Sequence, residues 1–355
     1  MKKIIISMMA VAALAACTKS EVQYETAGEI SFAPIASNVT KSVAGYDGDT
    51  FDGVFPTGVN LYVFANASND AGTAWEDPYF ANALFKHDAD KGTEGTQTHP
   101  TLGTVATTGA YAGDPTRYWP NVKTLKFAGY SDACNVSTLT PTMNDDLSAL
   151  TINGYVQDNT NIAEGKNDLM WFPCDGQPYS KQANEIAAQM KHACSWITIK
   201  VAGDDVTAEN WALNSLVVKS LKHSGNVVCN ATTAQWNLTG NGTDEEYYKP
   251  TDGTTFTDAY VNYEKTTNNF IVLPQQPTSL DVTYTYTSQE ATSSTAAITL
   301  TETKNVPLTF NGTDPWAPGV HYIYNVLITA SEILIDPVVV DWTNYTGNTI
   351  NKEVN

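Results

Sequence analysis

Several stretches of this chain alternate apolar and polar residues with period two, the pattern of strands that bury one face. Asp281-Val282-Thr283-Tyr284-Thr285-Tyr286-Thr287 is the cleanest, with Val282, Tyr284 and Tyr286 on one side. Runs rich in Val, Ile, Tyr, Phe and Thr predict strands over Glu29–Ile35, Asn60–Ala65, Thr124–Ser131, Ser195–Ala202, Ser215–Leu221, Asn269–Leu273, Leu280–Thr287, Ala296–Thr301, His321–Thr329 and Glu332–Trp342. Turn signals such as Pro56-Thr57-Gly58, Gly240-Asn241-Gly242 and Asp314-Pro315 punctuate them. Many short strands with such turns predict an all-β protein built from sandwiches, with long loops and little helix. Ser180–His192 is the one helical candidate, with Ile186 and Met190 four apart and alanines between. Asn66–Asp77, Lys86–Thr98 and Thr239–Asp258 are polar and poorly patterned and read as long surface loops.

The polar stretch Pro173–Ala188 marks the domain divide. It separates an N-terminal part, 17–178, whose first strand is at about 28–36 and whose next loop is 37–45, from a C-terminal part, 179–355, with a strand at 332–342 and a polar tail. Ahead of both, residues 1–16 carry Lys2-Lys3, an apolar run from Ile4 to Ala13 and small residues before Cys17. That order reads as an export signal. The apolar run is short of the roughly 20 residues that span a bilayer. Leu14-Ala15-Ala16-Cys17 resembles a bacterial lipobox, which implies cleavage before Cys17, acylation of Cys17 and a protein hung from a membrane by lipid.

Composition narrows the partners. The formal charge is −19, and removing Lys2 and Lys3 with the leader makes it about −21. With Arg117 as its one arginine, the chain is a poor nucleic-acid partner, because phosphate neutralisation needs basic side chains. Charged residues make up only 16%, so Thr, Asn, Ser and Gly must cover much of the surface, as in an exported β protein. Its 8 Trp and 18 Tyr set it apart from a disordered acidic tail. Cys134, Cys174, Cys194 and Cys229 form no CxxC pair; disulfides and buried thiols both remain open. The histidines at 87, 99, 192, 223 and 321 show no metal-ligand spacing, and there is no nucleophile elbow or phosphate loop. Asp145-Asp146, Asp204-Asp205 and Glu245-Glu246 read as solvated loop charge rather than a glycosidase pair. Trp75, Tyr247 and Tyr248 are candidate sugar-stacking aromatics. No catalytic, metal or cofactor residue is expected.

Several segments together resemble the fimbrillins, the type V pilus subunits of Bacteroidales. They are Ile30-Ser31-Phe32 followed by Thr40-Lys41-Ser42 and Gly58-Val59-Asn60-Leu61-Tyr62-Val63-Phe64-Ala65; Tyr118-Trp119-Pro120 with Leu125-Lys126-Phe127-Ala128-Gly129-Tyr130; Asp168-Leu169-Met170-Trp171 with Met190-Lys191-His192-Ala193; Leu273-Pro274-Gln275 with Trp316-Ala317-Pro318-Gly319-Val320-His321-Tyr322-Ile323-Tyr324-Asn325; and Val338-Val339-Val340-Asp341-Trp342. The resemblance implies two tandem transthyretin-like Greek-key β-sandwich domains and no enzyme activity. It also implies export as an outer-membrane lipoprotein displayed at the cell surface. A trypsin-like protease then cuts after the first strand, and a C-terminal strand of the next subunit fills the vacated groove. Partners would be other pilus subunits, the protease, the outer membrane through lipid, and a host or bacterial surface ligand.

Carried onto this chain, Ile30 and Phe32 belong to the displaced strand. Lys41, the only basic residue of Ser37–Gly45, is the cleavage point, leaving Ser42 as the new end. The donor strand is sought among Ile333, Ile335, Val338, Val340 and Trp342, with Val338, Val340 and Trp342 on one face and Val339 and Asp341 on the other. The other reading of that strand is that it completes its own sandwich. The family's processing follows arginine, whereas this loop offers lysine, so an uncut, lipid-retaining anchor subunit stays open beside a stalk or accessory subunit. A surface glycan-binding lipoprotein of a polysaccharide uptake system is the rival from another class.

Overall fold

The computed structural model describes residues 28–36, 55–68, 75–89, 95–99, 103–107, 110–120, 123–159, 166–182, 184–204, 211–250, 253–263, 270–289, 295–309, 315–330 and 332–341. Their structure is essentially all β, and the helix among them is one 3₁₀ turn, Val136–Thr138. The first strands are β1 (Ser31–Ala36), β2 (Leu61–Ser68), β3 (Trp75–His87), β4 (Gly95–His99), β5 (Gly103–Thr107), β6 (Tyr111–Gly113) and β7 (Leu125–Ser131). There follow β8 (Thr142–Met143), β9 (Leu150–Val156), β10 (Met170–Phe172), β11 (Ile186–His192), β12 (Ser195–Gly203), β13 (Trp211–Leu221), β14 (Ser224–Cys229) and β15 (Ala234–Thr239). The last are β16 (Thr243–Tyr248), β17 (Thr254–Thr255), β18 (Val261–Asn262), β19 (Phe270–Val272), β20 (Ser279–Gln289), β21 (Ile298–Pro307), β22 (Val320–Ile328) and β23 (Ile333–Asp341).

The N-terminal part is not an open sandwich. Seven strands close into a barrel in the order β1-β11-β10-β7-β2-β3-β6, which leaves that sheet no free edge. Its interior is aromatic, with Phe32, Phe85, Phe127, Phe172 and Trp119 packed together. β7 is buried along its whole length because both faces are covered. One face lines the barrel, and the other packs on a four-stranded sheet, β15-β14-β9-β8, through Ala128, Tyr130, Ile152, Tyr155 and Val227. Beyond this second core lies a sandwich. One sheet runs β18-β12-β22-β23, with β19 also on β12; the other runs β16-β13-β20-β21, with β17 also on β13. They close on a third core that includes Ile197, Leu213, Val282, Tyr324 and Trp316.

Buried polar groups tie these layers together. Asn159 donates to the Ile271 carbonyl oxygen at 2.8 Å and to Glu245 Oε1 at 3.0 Å, and its own Oδ1 accepts from Ile271 N at 3.2 Å. A side-chain amide that mimics a backbone partner is satisfied at little cost, whereas leaving it unpaired would cost about 1–3 kcal/mol. His192 and Asp168, both buried, meet at 2.6 Å between β11 and the turn before β10. The cysteines are free, with Cys194 and Cys229 buried and Cys134 and Cys174 partly so. Burial pushes the Cys134 thiol up to about 11, and burial raises the Cys194 thiol well above its ordinary value.

Three expectations give way. Ser180–His192 is no helix: Ile186, Ala188, Met190 and His192 are buried alternately on β11. A spacing of four fits a strand as well as a helix, so Ile186 and Met190 could not decide between them. The stretches read as loops carry β4, β16 and β17, both ends of β3 and the end of β2. Asn66 and Ser68 are polar yet buried there, because Asn66 donates to the Asp145 carbonyl and Ser68 pairs with Thr124 at 2.8 Å. The divide drawn after residue 178 falls before β11, a barrel strand, so the barrel runs on past it to His192.

Gly129 on β7 tests the packing. A Cβ there would sit 2.5 Å from both the Phe172 ring and the Tyr62 carbonyl oxygen. Backbone cannot yield as a side-chain tip can, so Gly129→Ala is expected to lose about 1–3 kcal/mol in urea unfolding. His321 tests burial of a titratable group. It stacks on Trp196 at 3.4 Å between centroids and bonds Thr198 Oγ1 through Nε2 at 2.9 Å. Burial, and then the Lys200 charge, holds its pKa well below the ordinary 6.5. Between the lowered and the ordinary value the unfolded chain binds the extra proton. His321 therefore contributes stability above pH 6.5 that is lost as pH falls, by at most about 1.4 kcal/mol per pH unit. Denaturation midpoints measured from pH 7 to 5 are expected to fall, and to fall less steeply in His321→Gln.

Candidate assembly groove and donor strand

β1 is short, but nearly all of it is inside. Phe32, Ala33 and Ile35, with Ile30 just ahead of the strand, are at most 1% exposed, and Pro34 is buried as well. Phe32 stands at the centre of the barrel's aromatic cluster. Its ring meets Phe85 and Phe127 edge-on at 4.9 and 5.2 Å and lies 5.9 Å from Phe172. The β4–β5 ribbon lies over β1 and β11.

The backbone of β1 is what closes the barrel. It runs parallel to β11 over Phe32–Ala36 and antiparallel to β6 at Ser31 and Phe32. β11 and β6 do not pair with each other. Just ahead of the strand, Ile30 N donates to the Arg117 carbonyl at 2.8 Å, and Trp119 N donates to the Gly28 carbonyl at 2.9 Å. Removing β1 would leave two unpaired strand edges facing a slot lined by Phe85, Phe127 and Phe172. Refilling that slot with three apolar side chains, at about 1.5–3 kcal/mol each, contributes roughly 5–9 kcal/mol before ordering costs. Beside it lies a cavity of about 520 Å³ lined by Phe127, Phe172, Tyr179, Ile186 and Ala188. Tyr179 donates to Asp175 at 2.7 Å at its rim, and burial raises the phenol's pKa.

β23 belongs to another core. It pairs with β22 along its full length, from Val320 opposite Asp341 to Ile328 opposite Ile333, and forms the end strand of its sheet. Ile333, Ile335 and Val339 pack on the sandwich core while Leu334 is 46% exposed. The inward register is therefore odd-numbered, with Ile333, Ile335 and Val339 toward the core. In this state the strand completes its own sandwich. The side chains of Val338 and Val340 lie outside the described residues, as do Cys17, Lys41, Ser42, Trp342, the leader, loop 37–45 and the polar tail.

The other candidates resolve simply. Tyr247 is 1% exposed, donating to Asn262 and accepting from Ile199 N, so it is a core residue rather than a sugar platform. Tyr248 is partly buried against Thr254 and Tyr263. The Trp75 ring is covered by Lys126 Nζ at 4.8 Å. Glu245 and Glu246 sit on β16 and not in a loop. No group of residues placed to hold a metal ion occurs among the described residues. Sequence reading missed the Arg117–Trp119 backbone clamp, since main-chain bonds leave no residue signature, although it did single out Tyr118-Trp119-Pro120.

A protein-family model described as fimbrillin-like matches residues 57–342. Among solved structures, a fimbrial protein from Bacteroides vulgatus aligns with a TM-score of 0.58 at 14% identity, over 88% of this chain and 99% of that one, which shows a shared fold. Two proteins described as putative cell adhesion proteins also align. That from Bacteroides uniformis has a TM-score of 0.48 at 16% identity, over 89% and 98% of the two chains. That from Bacteroides ovatus has 0.47 at 14%, over 90% and 99%. No curated protein matches the chain.

Proposed function

The chain belongs to the fimbrillin-like family, and from that premise we propose that it is a structural, non-catalytic subunit of a type V pilus at the outer-membrane surface, working in adhesion. The observation that carries the assembly part of this reading is the place of β1: one short strand, buried on both faces, joins β11 to β6, which among the described residues do not pair with each other. A cut after Lys41 would release that strand together with the lipid on Cys17. It would leave Ser42 as the new amino end and a slot open between β11 and β6. The incoming strand comes from the C-terminal end of a second subunit, with Ile333, Ile335 and the segment through Trp342 as its candidate apolar positions. β-strand addition of this kind restores the ladder bonds while side chains dock in pockets. Within one chain the donor and the slot lie in different cores, which favours exchange between chains.

In this reading the barrel and the sandwich correspond to the family's two transthyretin-like Greek-key domains. A lipid-retaining anchor is the second form of the same proposal, for a chain that is never cut. The rival glycan-binding reading is not better supported, with Tyr247 in the core and Lys126 Nζ over the Trp75 ring. Amino-terminal sequencing of protein taken from cells decides among these. Ser42 is the expected first residue of a processed subunit, lipidated Cys17 marks the anchor, and Lys41→Ala is expected to abolish the Ser42 end. Any other first residue contradicts this assignment.

A further inference from the structure

β21 is the end strand of its sheet, and among the described residues its outer edge pairs with no other strand. It is ten residues long and exposed along almost all of its length, with Leu300 43% exposed. A long edge is a template for another strand unless its charges forbid the pairing. The charges on the comparable edges are of one sign: β23 carries Asp336 and Asp341, β16 carries Asp244, Glu245 and Glu246, and β15 carries none, whereas β21 carries Glu302 and Lys304, opposite in sign and two residues apart, with Pro307 at its end.

The sequence of β21 is complementary to itself when reversed. In an antiparallel two-fold pairing centred on Thr303, Glu302 falls opposite Lys304 of the second copy and Lys304 opposite its Glu302. Leu300 meets Val306, and Thr301 meets Asn305. Centring on residue 302 or 304 sets like charges face to face, and centring on 301 or 305 leaves Lys304 opposite Ile298 or Val306. Opposed side chains in such a ladder stand about 4.5–5.5 Å apart at Cβ, close enough for ion pairs, and like charges there repel. The carboxylate is already held in place. Glu302 accepts from Tyr284 at 3.2 Å and from Tyr286 at 3.0 Å, both rings stack on Trp211, and Lys304 lies 3.2 Å away. A fixed acceptor loses little freedom on pairing. We propose that the outer edge of β21 is a self-association surface at which a second copy of this chain adds antiparallel about Thr303, in register set by Glu302 and Lys304. Such an isologous contact would join subunits sideways, independently of β1 exchange.

Sedimentation velocity tests it on the lipid-free chain with its first strand in place and Lys41→Ala to keep it uncut. Wild type is expected to show a concentration-dependent dimer that weakens in high salt. Lys304→Glu and Glu302→Lys, each alone, are expected to be monomeric with unchanged circular dichroism. An equal mixture of the two is expected to dimerise again, as is the double variant E302K/K304E, because the charges are then opposed once more. A wild type that stays monomeric throughout overturns the proposal. So does a Lys304→Glu chain that dimerises as wild type does, or a mixture that fails to recover the dimer.

Discussion

Phe32→Ala is expected to cost the uncut chain about 3–5 kcal/mol in denaturant unfolding, the range for removing a buried phenylalanine. The side chain has no exposure and touches three other phenylalanine rings, so the space it leaves has rigid walls and no access for relaxation. The second half of this expectation separates assembly from mere packing. If β1 leaves on processing, Phe32 leaves with it, and assembled subunits made from the variant unfold like those from wild type. A variant destabilised equally in both forms would mean that β1 stays in place.

Ile335→Asp is expected to abolish assembly while leaving a folded monomer. In its own sheet Ile335 is only partly buried, on an end strand where a carboxylate can reach water. Inserted in a closed barrel, the same carboxylate would be buried without a partner, at an effective penalty of several kcal/mol. The monomer is expected to lose no more than about 1–2 kcal/mol, as for a partly exposed large-to-polar change. Leu334→Asp, at an exposed position of the same strand, controls for charge. Mass measurement of the trimmed variants reads both outcomes, and polymers formed by trimmed Ile335→Asp would rule this position out of the donor.

Legibility followed burial pattern. β12, β20, β22 and β23 could be read from sequence because their strands keep apolar residues in step over seven or more positions. β11 could not, since alanines carry little contrast and a four-residue spacing serves both periods. β4, β5 and β16 are polar strands, invisible to a hydrophobicity pattern and held by ladder bonds. Barrel closure escaped for another reason: it depends on β1 reaching across to β11, more than 150 residues away, as no local pattern reports. At the site, Ile30 and Phe32 were legible as an apolar face. The inward register of β23 was not, because Val338-Val339-Val340 is apolar at every position.

The most direct measurement is the mass of the chain after its residues through Lys41 are removed, followed over time by light scattering coupled to size exclusion. A ladder of multiples is expected, and a chain also ending at Ser331 should remain at monomer mass at every concentration. A trimmed chain with β23 intact that persists as one stable monomer when concentrated would contradict assembly by strand exchange.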